Sequence, residues 1–468
     1  MKKFWIVLLA LGLVAGFAMS ASAQTSVKFS GSYYVSGIYV DNPQLSKSQT
    51  RLPAQAFYQN RLRIQTEFKV AEGLMLVTRF DALEKPWGYG QVGTADAWRW
   101  QSASLGNGVD SVNRPSGGTT SFASTTARTQ ENIEFERAYL DFTTKIGRFL
   151  VGYQNAVAWG TMFLDTHTTR PAITYMVPIG PLTILAKAEK TVEQNAGNGI
   201  MSDADNNVYN LAAIYKFGAG DAGLMFQFGD SKSTRSNTAI SAASKVYALM
   251  PYAKMKFGPV YVETEAVYGF GDLVKFDNLA AARAVIPALT DVTAEAFGIY
   301  IGAKADIGAA YVGGVFAWMR GDDITTADKR EGGMAAMFFA GQAWNPTLIL
   351  WNDDMYGAQH RLASVGGLGP FFDNAWMYQI YAGFKPVKQA DISLKLTYAY
   401  ADQNVVAGQI SKDYGTEVDI TAKYKLFDNL EYMLGAAYLF TGDYFKGATA
   451  ATQLDNNYML FHKLTLSF

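Results

Sequence analysis

The sequence predicts an all-β fold: a transmembrane antiparallel β-barrel of eighteen strands, or sixteen if one hairpin is lost. Three observations lead there. The chain opens like an exported protein, its later segments alternate apolar and polar residues at a period of two, and the connections between those segments are short and long by turns.

Lys2 and Lys3 form a short positive start, Phe4 to Met19 an apolar run, and Ala21, Ser22 and Ala23 a small-residue cleavage site before Gln24. That order is a secretory signal peptide, so residues 1–23 are expected to be removed and 24–468 to form the barrel. The run is short for a membrane anchor, and no stop-transfer charges follow it. The chain has no Cys, which excludes disulfides, Cys-ligated zinc and c-type haem, and no cofactor is expected. Lys and Arg total 40 against 41 Asp and Glu, a balance that gives no reason to expect nucleic acid. Beyond the start, no apolar stretch approaches the roughly 20 residues of a membrane helix.

Leu62, Ile64, Thr66, Phe68 and Val70 alternate with Arg61, Arg63, Gln65, Glu67 and Lys69, one face greasy and the other ionic. A sandwich strand can read this way too, so the layout has to decide. The same template places strands near 25–40, 57–70, 73–83, 131–143, 146–156, 171–178, 181–190, 205–217, 221–230, 245–257, 259–270, 292–306, 308–320, 375–385, 390–401, 414–427, 430–441 and 456–468. The sixth and seventh are the least marked. Tilted strands of about 10 residues suffice to cross an outer-membrane-type apolar band.

Tight links fall at 70–73, 144–145, 179–180, 218–220, 258, 307, 386–389 and 428–429, with longer loops between them. Phe29, Phe68, Phe142, Phe149, Phe217, Phe257 and Phe384 lie near the tight links, and Tyr39, Phe80, Tyr153, Phe228, Tyr268, Tyr398 and Phe440 near the loops. Two aromatic girdles at opposite strand ends fit rings that prefer lipid–water interfaces. The last strand must pair with the first if no edge is to stay open.

The closing segment from Tyr458 to Phe468 has mainly apolar even positions and a terminal Phe. It resembles the C-terminal signal of bacterial outer-membrane proteins, and the resemblance implies that barrel-assembly machinery reads Phe468. His462 is directed at lipid by its phase, which predicts a subunit contact, a local bulge, or a height close to the interface.

The wider pattern resembles the porin superfamily of outer-membrane channels across nearly the whole mature chain. A closer likeness is to the eighteen-stranded alginate-export-type channels. It rests on Arg61-Leu62-Arg63, Arg79-Phe80 with Trp87-Gly88, Arg137 to Phe142, Arg148, Trp159-Gly160, Glu417-Val418-Asp419 and Tyr438 to Asp443. The resemblance implies location in the outer membrane of a Gram-negative bacterium, in contact with lipid and lipopolysaccharide. It also implies diffusion of small polar solutes, as a monomer or trimer, with an arginine-lined lumen guiding anions in the alginate-type members.

The residues themselves give a related expectation. Arg61, Arg63, Arg79, Arg137 and Arg148 sit on four neighbouring strands with lumen-facing phase. Clustered guanidinium groups bind carboxylates and phosphates through planar paired bonds and would steer anions. The simpler alternative is that they pair with Glu67, Asp81, Glu134, Glu136 and Asp141, acids that are numerous on the same strands. Glu263, Glu265, Glu417 and Asp419 also point inward, countered by Lys254, Lys256, Lys395, Lys423 and Lys425, so net selectivity does not follow.

Residues 84–130 and 321–374 are too long for simple connectors. The second carries Met337, Phe338, Phe339, Trp344 and Trp351, too apolar for a solvated tip. It is expected to fold into the barrel mouth as a constriction or to pack as a lid on other loops. Asp203, Asp205, Asn206 and Asn207 are rich in oxygen, but they lack calcium-loop spacing and read as a solvated turn. No metal site is expected.

Two other classes compete with a channel. A membrane hydrolase would need a nucleophile beside a base, and the chain has only His167, His360 and His462 and no G-x-S-x-G. A scaffold or adhesin, such as the sheath of an electron conduit, would need a separate cytochrome, because this chain has no haem site of its own.

Overall fold

The computed structural model describes residues 26–42, 45, 47, 54–87, 133–156, 158–166, 168–194, 204–233, 235, 239–333, 344–352 and 372–468. The expected leader, most of 84–130, Met337, Phe338, Phe339, His167, His360 and Asp203 lie outside the described residues.

The wall runs β1 (Ser26–Asp41), β2 (Gln55–Ala71), β3 (Leu74–Pro86), β4 (Glu134–Thr144), β5 (Gly147–Asn155), β6 (Thr169–Ile179), β7 (Leu182–Val192), β8 (Asn206–Phe217) and β9 (Gly220–Ser231). It continues through β10 (Ala242–Phe257), β11 (Val260–Phe276), β12 (Val292–Ile307), β13 (Ala310–Met319), β15 (Ala375–Phe384), β16 (Ala390–Ala401), β17 (Asp413–Phe427), β18 (Leu430–Thr441) and β19 (Asn457–Ser467). These pair antiparallel in chain order, and β19 returns to β1, with Ser32 opposite Ser467 and Asp41 opposite Tyr458. The result is the closed eighteen-stranded barrel that the alternation predicts, and it includes the faint hairpin β6–β7. Closure satisfies the backbone groups that an open edge would leave unpaired in lipid.

Elements outside the wall escaped the period-two template, among them a 3-10 turn at Asp443–Lys446. The strand β14 (Lys329–Arg330) lies outside the wall and pairs parallel with β12. The short helix α1 (Leu279–Val285) sits in the β11–β12 loop, started by Asn278, whose side chain accepts the Ala281 N–H at 3.0 Å. Its sequence, Leu279 to Val285, is mostly Ala, the best helix former.

Alternation sets the two faces. On β8, Tyr209, Leu211 and Tyr215 are exposed on the outside, while Asn210 and Ala212 are buried inside. The tight link between β10 and β11 holds Gly258 at φ 60°, a left-handed conformation that glycine adopts without strain. Aromatic bands mark the two strand ends. Phe142, Phe149 and Tyr175 stack near the short turns, and Phe228, Tyr247, Phe270 and Tyr268 stack near the loops. No helix among the described residues is long and apolar enough to cross a membrane.

His462 points outward between Gly37 and Leu434 in two unbroken ladders, which removes the bulge explanation. Its ring lies 5.5 Å from Tyr58 and 5.9 Å from Tyr432. Phe468 extends the closing pair, exchanging backbone bonds of 2.8 and 3.0 Å with Gly31. The oxygen-rich turn is structural: Asp205 pairs with Lys190, and the Asn206 side-chain carbonyl accepts from Ser231, Lys232 and Ser233.

Candidate solute path and inward segments

On β2 to β5 the arginines expected from phase share one inner wall. Cross-strand register sets Arg63 opposite Asp81, Gln65 opposite Arg79, and Arg79 opposite Arg137. Most of them find carboxylates. Arg63 donates through Nε and Nη2 to both Asp81 oxygens at 2.7 and 2.6 Å, and Arg148 does the same to Asp141 at 2.8 and 2.5 Å. Such forked pairs fix both side chains against the wall. Looser contacts follow, Arg61 to Glu84 and Arg79 to Glu136, each 3.4 Å, and on β6 Arg170, which phase did not single out, pairs with buried Glu189 at 3.1 Å. Glu67 lies 3.8 Å from Lys28. Tyr34 presents its ring to Arg61 at 5.1 Å and to Lys463 at 4.3 Å.

Arg137 differs from its neighbours. It forms no ion pair with a described residue, its Nε is buried without a hydrogen-bond partner, and the side chain directly across the ladder is another arginine. Opposed like charges repel, and Glu136 and Asp81 act on both guanidinium groups.

Across the lumen, two chain segments fold inward against wall carboxylates. The first, residues 158–166 between β5 and β6, was not expected from sequence beyond the quoted Trp159-Gly160. Thr161 donates from its backbone N–H and its hydroxyl to Glu265 Oε2 at 2.9 and 2.7 Å. The Trp159 indole donates to the Met250 carbonyl at 2.9 Å, and the Trp159 N–H to Asp165 at 2.7 Å. Burial of the Asp165 carboxyl is the largest influence on it and pushes its pKa up to about 6. Apolar Phe163 and Leu164 within a loop were the signal that could have revealed this segment.

The second segment is 344–352. The N–H groups of Leu348 and Ile349 donate to Glu417 Oε1 at 2.8 and 2.7 Å, and that of Leu350 to Oε2 at 2.9 Å. Three successive amides around one anion make a nest. The Pro346 carbonyl accepts from Gln379 at 2.9 Å and from Lys395 at 3.1 Å. Thr347 Oγ1 accepts the Trp351 N–H at 2.8 Å, closing the turn. Ile349, Leu350 and Trp351 are fully buried. Burial of such a side chain stabilises by about 1.5–3 kcal/mol, against about 1–2 kcal/mol for ordering each backbone residue. Apolar burial offsets part of the ordering, and the Glu417 bonds fix where the segment rests.

Phase directed Glu263 and Glu265 inward, and both are there. Glu263 accepts from the hydroxyls of Tyr300 at 2.7 Å and Tyr261 at 2.9 Å, whereas Glu265 lies covered under Thr161. Trp344 and Trp351, expected in an apolar loop that must bury itself, do so within one aromatic cluster. Phe163 packs against Tyr300 at 5.4 Å and Trp344 at 5.1 Å, and Trp344 and Trp351 against Phe372 at 5.1 and 4.8 Å.

A closed membrane barrel with a polar interior and loops folded inward is the architecture of a channel. A model of the Gram-negative porin family matches residues 8–341, and the chain belongs to that family. It is an outer-membrane channel for small solutes. Among solved structures the chain is similar to a BenF-like porin from Pseudomonas fluorescens Pf-5, with 11% identity, TM-score 0.50, 96% of this chain covered and 100% of that one. It is also similar to Pseudomonas aeruginosa OccK2 (OpdF), with 10% identity, TM-score 0.49 and 95% and 96% covered. A third is Acinetobacter baumannii OccAB4, with 10% identity, TM-score 0.49 and 96% and 100% covered. No curated protein matches the sequence. These findings do not show the alginate-export-type likeness.

Proposed function

We propose that this porin passes small polar solutes along the β2–β6 wall, favouring anions, while segments 158–166 and 344–352 narrow the remaining lumen. The observation that carries the anion preference is the cross-strand pair Arg79 and Arg137. One guanidinium has a 3.4 Å acid contact and the other has none among the described residues. The strong forks at Arg63 and Arg148 neutralise themselves and contribute shape more than field.

The test is single-channel recording of the refolded mature protein in a planar bilayer, with the reversal potential read across a salt gradient. Anion preference in the parent, reduced in Arg137→Gln, supports the reading. Cation preference in the parent keeps the channel and discards the arginine filter. A folded barrel without current steps would favour the scaffold reading. Deletion of 344–352 is expected to raise conductance, and an unchanged value removes the constriction.

The same proposal includes loss of residues 1–23 on export, testable by the mass of the mature protein. It also takes Phe468 as the group read by the assembly machinery, with lipid and lipopolysaccharide around the apolar band. Deleting Phe468 should lower the yield of heat-modifiable barrel in cells.

A further inference from the structure

We infer that Glu265 and Glu417 are positioning residues of the solute path, each holding one inward segment, and that the two segments move as one coupled unit. The inference rests on the lumen being the solute path and adds what sets its width.

Both carboxylates are shut away from solvent, Glu417 at 0% and Glu265 at 1% exposure, so neither presents itself to a passing solute. Their ladder neighbours are uncharged: Thr397 and Leu439 flank Glu417, and Tyr252 and Tyr300 flank Glu265. Neither carboxylate forms an ion pair with a described cation. A carboxyl buried in that way is costly unless its oxygens find hydrogen-bond donors. Those bonds come from the segments: three amides at Glu417, and an amide and a hydroxyl at Glu265. The dependence is mutual: each carboxyl is covered by its own segment and bonded to it, so withdrawal of a segment exchanges these hydrogen bonds and its apolar seat for water.

The local backbone is cut to the same purpose. Gly160 sits at φ 61°, and a Cβ there would run into Glu265 Oε1. Only glycine allows the chain to approach the carboxylate so closely. Coupling follows from the rings. Tyr300, the cross-strand neighbour of Glu265, packs on Phe163 of one segment and, at 5.4 Å, on Trp344 of the other. Trp344 and Trp351 share Phe372, which carries the contact to the turn seated on Glu417. Aromatic pairs of this kind are worth about 0.5–1.5 kcal/mol each beyond burial, enough to tie the two anchors together.

The experiment compares full-length mature barrels carrying Glu265→Gln, Glu417→Gln, both, or Gly160→Ala, each confirmed as folded by heat-modifiable migration. Glutamine keeps the size but replaces one accepting oxygen by an NH2 that faces the amide donors. Each single variant is expected to raise the ratio of time in higher-conductance states on the order of tenfold, the worth of one hydrogen bond. The double variant should rise by less than the product of the singles. Glu265→Gln and Gly160→Ala should also expose the distant segment 344–352 to protease, a readout independent of conduction.

Folded Gln variants that conduct and resist protease like the parent would overturn the positioning role. Multiplying effects in the double variant, with no change at 344–352 in Glu265→Gln, would overturn the coupling. If parent and variants alike pass no current, the solute-path reading fails, and protease exposure of 344–352 alone decides the positioning. Should Glu265→Gln fail to fold, Gly160→Ala tests the same anchor without changing charge.

Discussion

The wall of β2 to β6 and the wall of β11 and β17 both carry inward carboxylates, but they use them differently. Asp81 and Asp141 each take a forked guanidinium from their own wall, whereas Glu265 and Glu417 take backbone amides from segments distant in sequence. In the first case the acid neutralises a neighbour and leaves the lumen surface where the strands put it. In the second the acid brings a piece of chain into the lumen. Carboxylic acids of the same inward phase thus serve charge balance on one side and shape on the other.

The largest expected effect tests the shape side. Trp351→Ala removes a fully buried side chain and should cost about 3–5 kcal/mol of local stability. Segment 344–352 should then become open to protease while the barrel stays heat-modifiable. Unchanged resistance would mean that the segment does not depend on its aromatic seat.

Asp81→Asn tests the charge side. It breaks the Arg63 fork and frees one lumen guanidinium, so the reversal potential should move towards anions without a change in protease resistance of the inward segments. A shift towards cations, or exposure of those segments, would erase the distinction between the two walls.

Asp165 gives a smaller effect with a defined sign. Its folded pKa is raised by burial from 3.8 to about 6. The contribution to holding segment 158–166 is therefore complete below the unfolded value and lost as pH rises through about 6. Hydrogen exchange of these amides should quicken from about pH 4 to pH 7 beyond the intrinsic base-catalysed rise, and Asp165→Asn should remove the excess. The smallest effect is expected at Lys69, whose 3.0 Å pair with Glu72 lies in solvent on a short turn. Lys69→Ala should change stability by less than about 1 kcal/mol in chemical denaturation.

Much of the wall was legible because its rule is local. Residues such as Leu62 and Arg63 face lipid or lumen according to parity alone, and tight links such as that at Gly258 announce themselves by composition. The β6–β7 hairpin emerged as expected although its alternation is faint. The inward segments were only partly legible. Trp344 and Trp351 signalled an apolar loop that had to be buried, while Phe163 and Leu164 carried the same signal in a shorter loop that length alone did not flag. Helix α1 and strand β14 were missed because the period-two template has no place for them.

By itself the sequence determined the antiparallel barrel, the in–out alternation along its strands and the clustering of arginines on neighbouring strands, and it left the strand count at eighteen or sixteen. These follow from backbone geometry and hydrogen bonding in lipid, which act over a few residues and repeat along the chain. Only the tertiary structure decided which acids meet arginines and which hold loops. It alone set Arg79 against Arg137 and brought Glu417 to the amides of 348–350. Those pairings join residues far apart in the chain, and register, bulges and closure, not parity, set the distances between them.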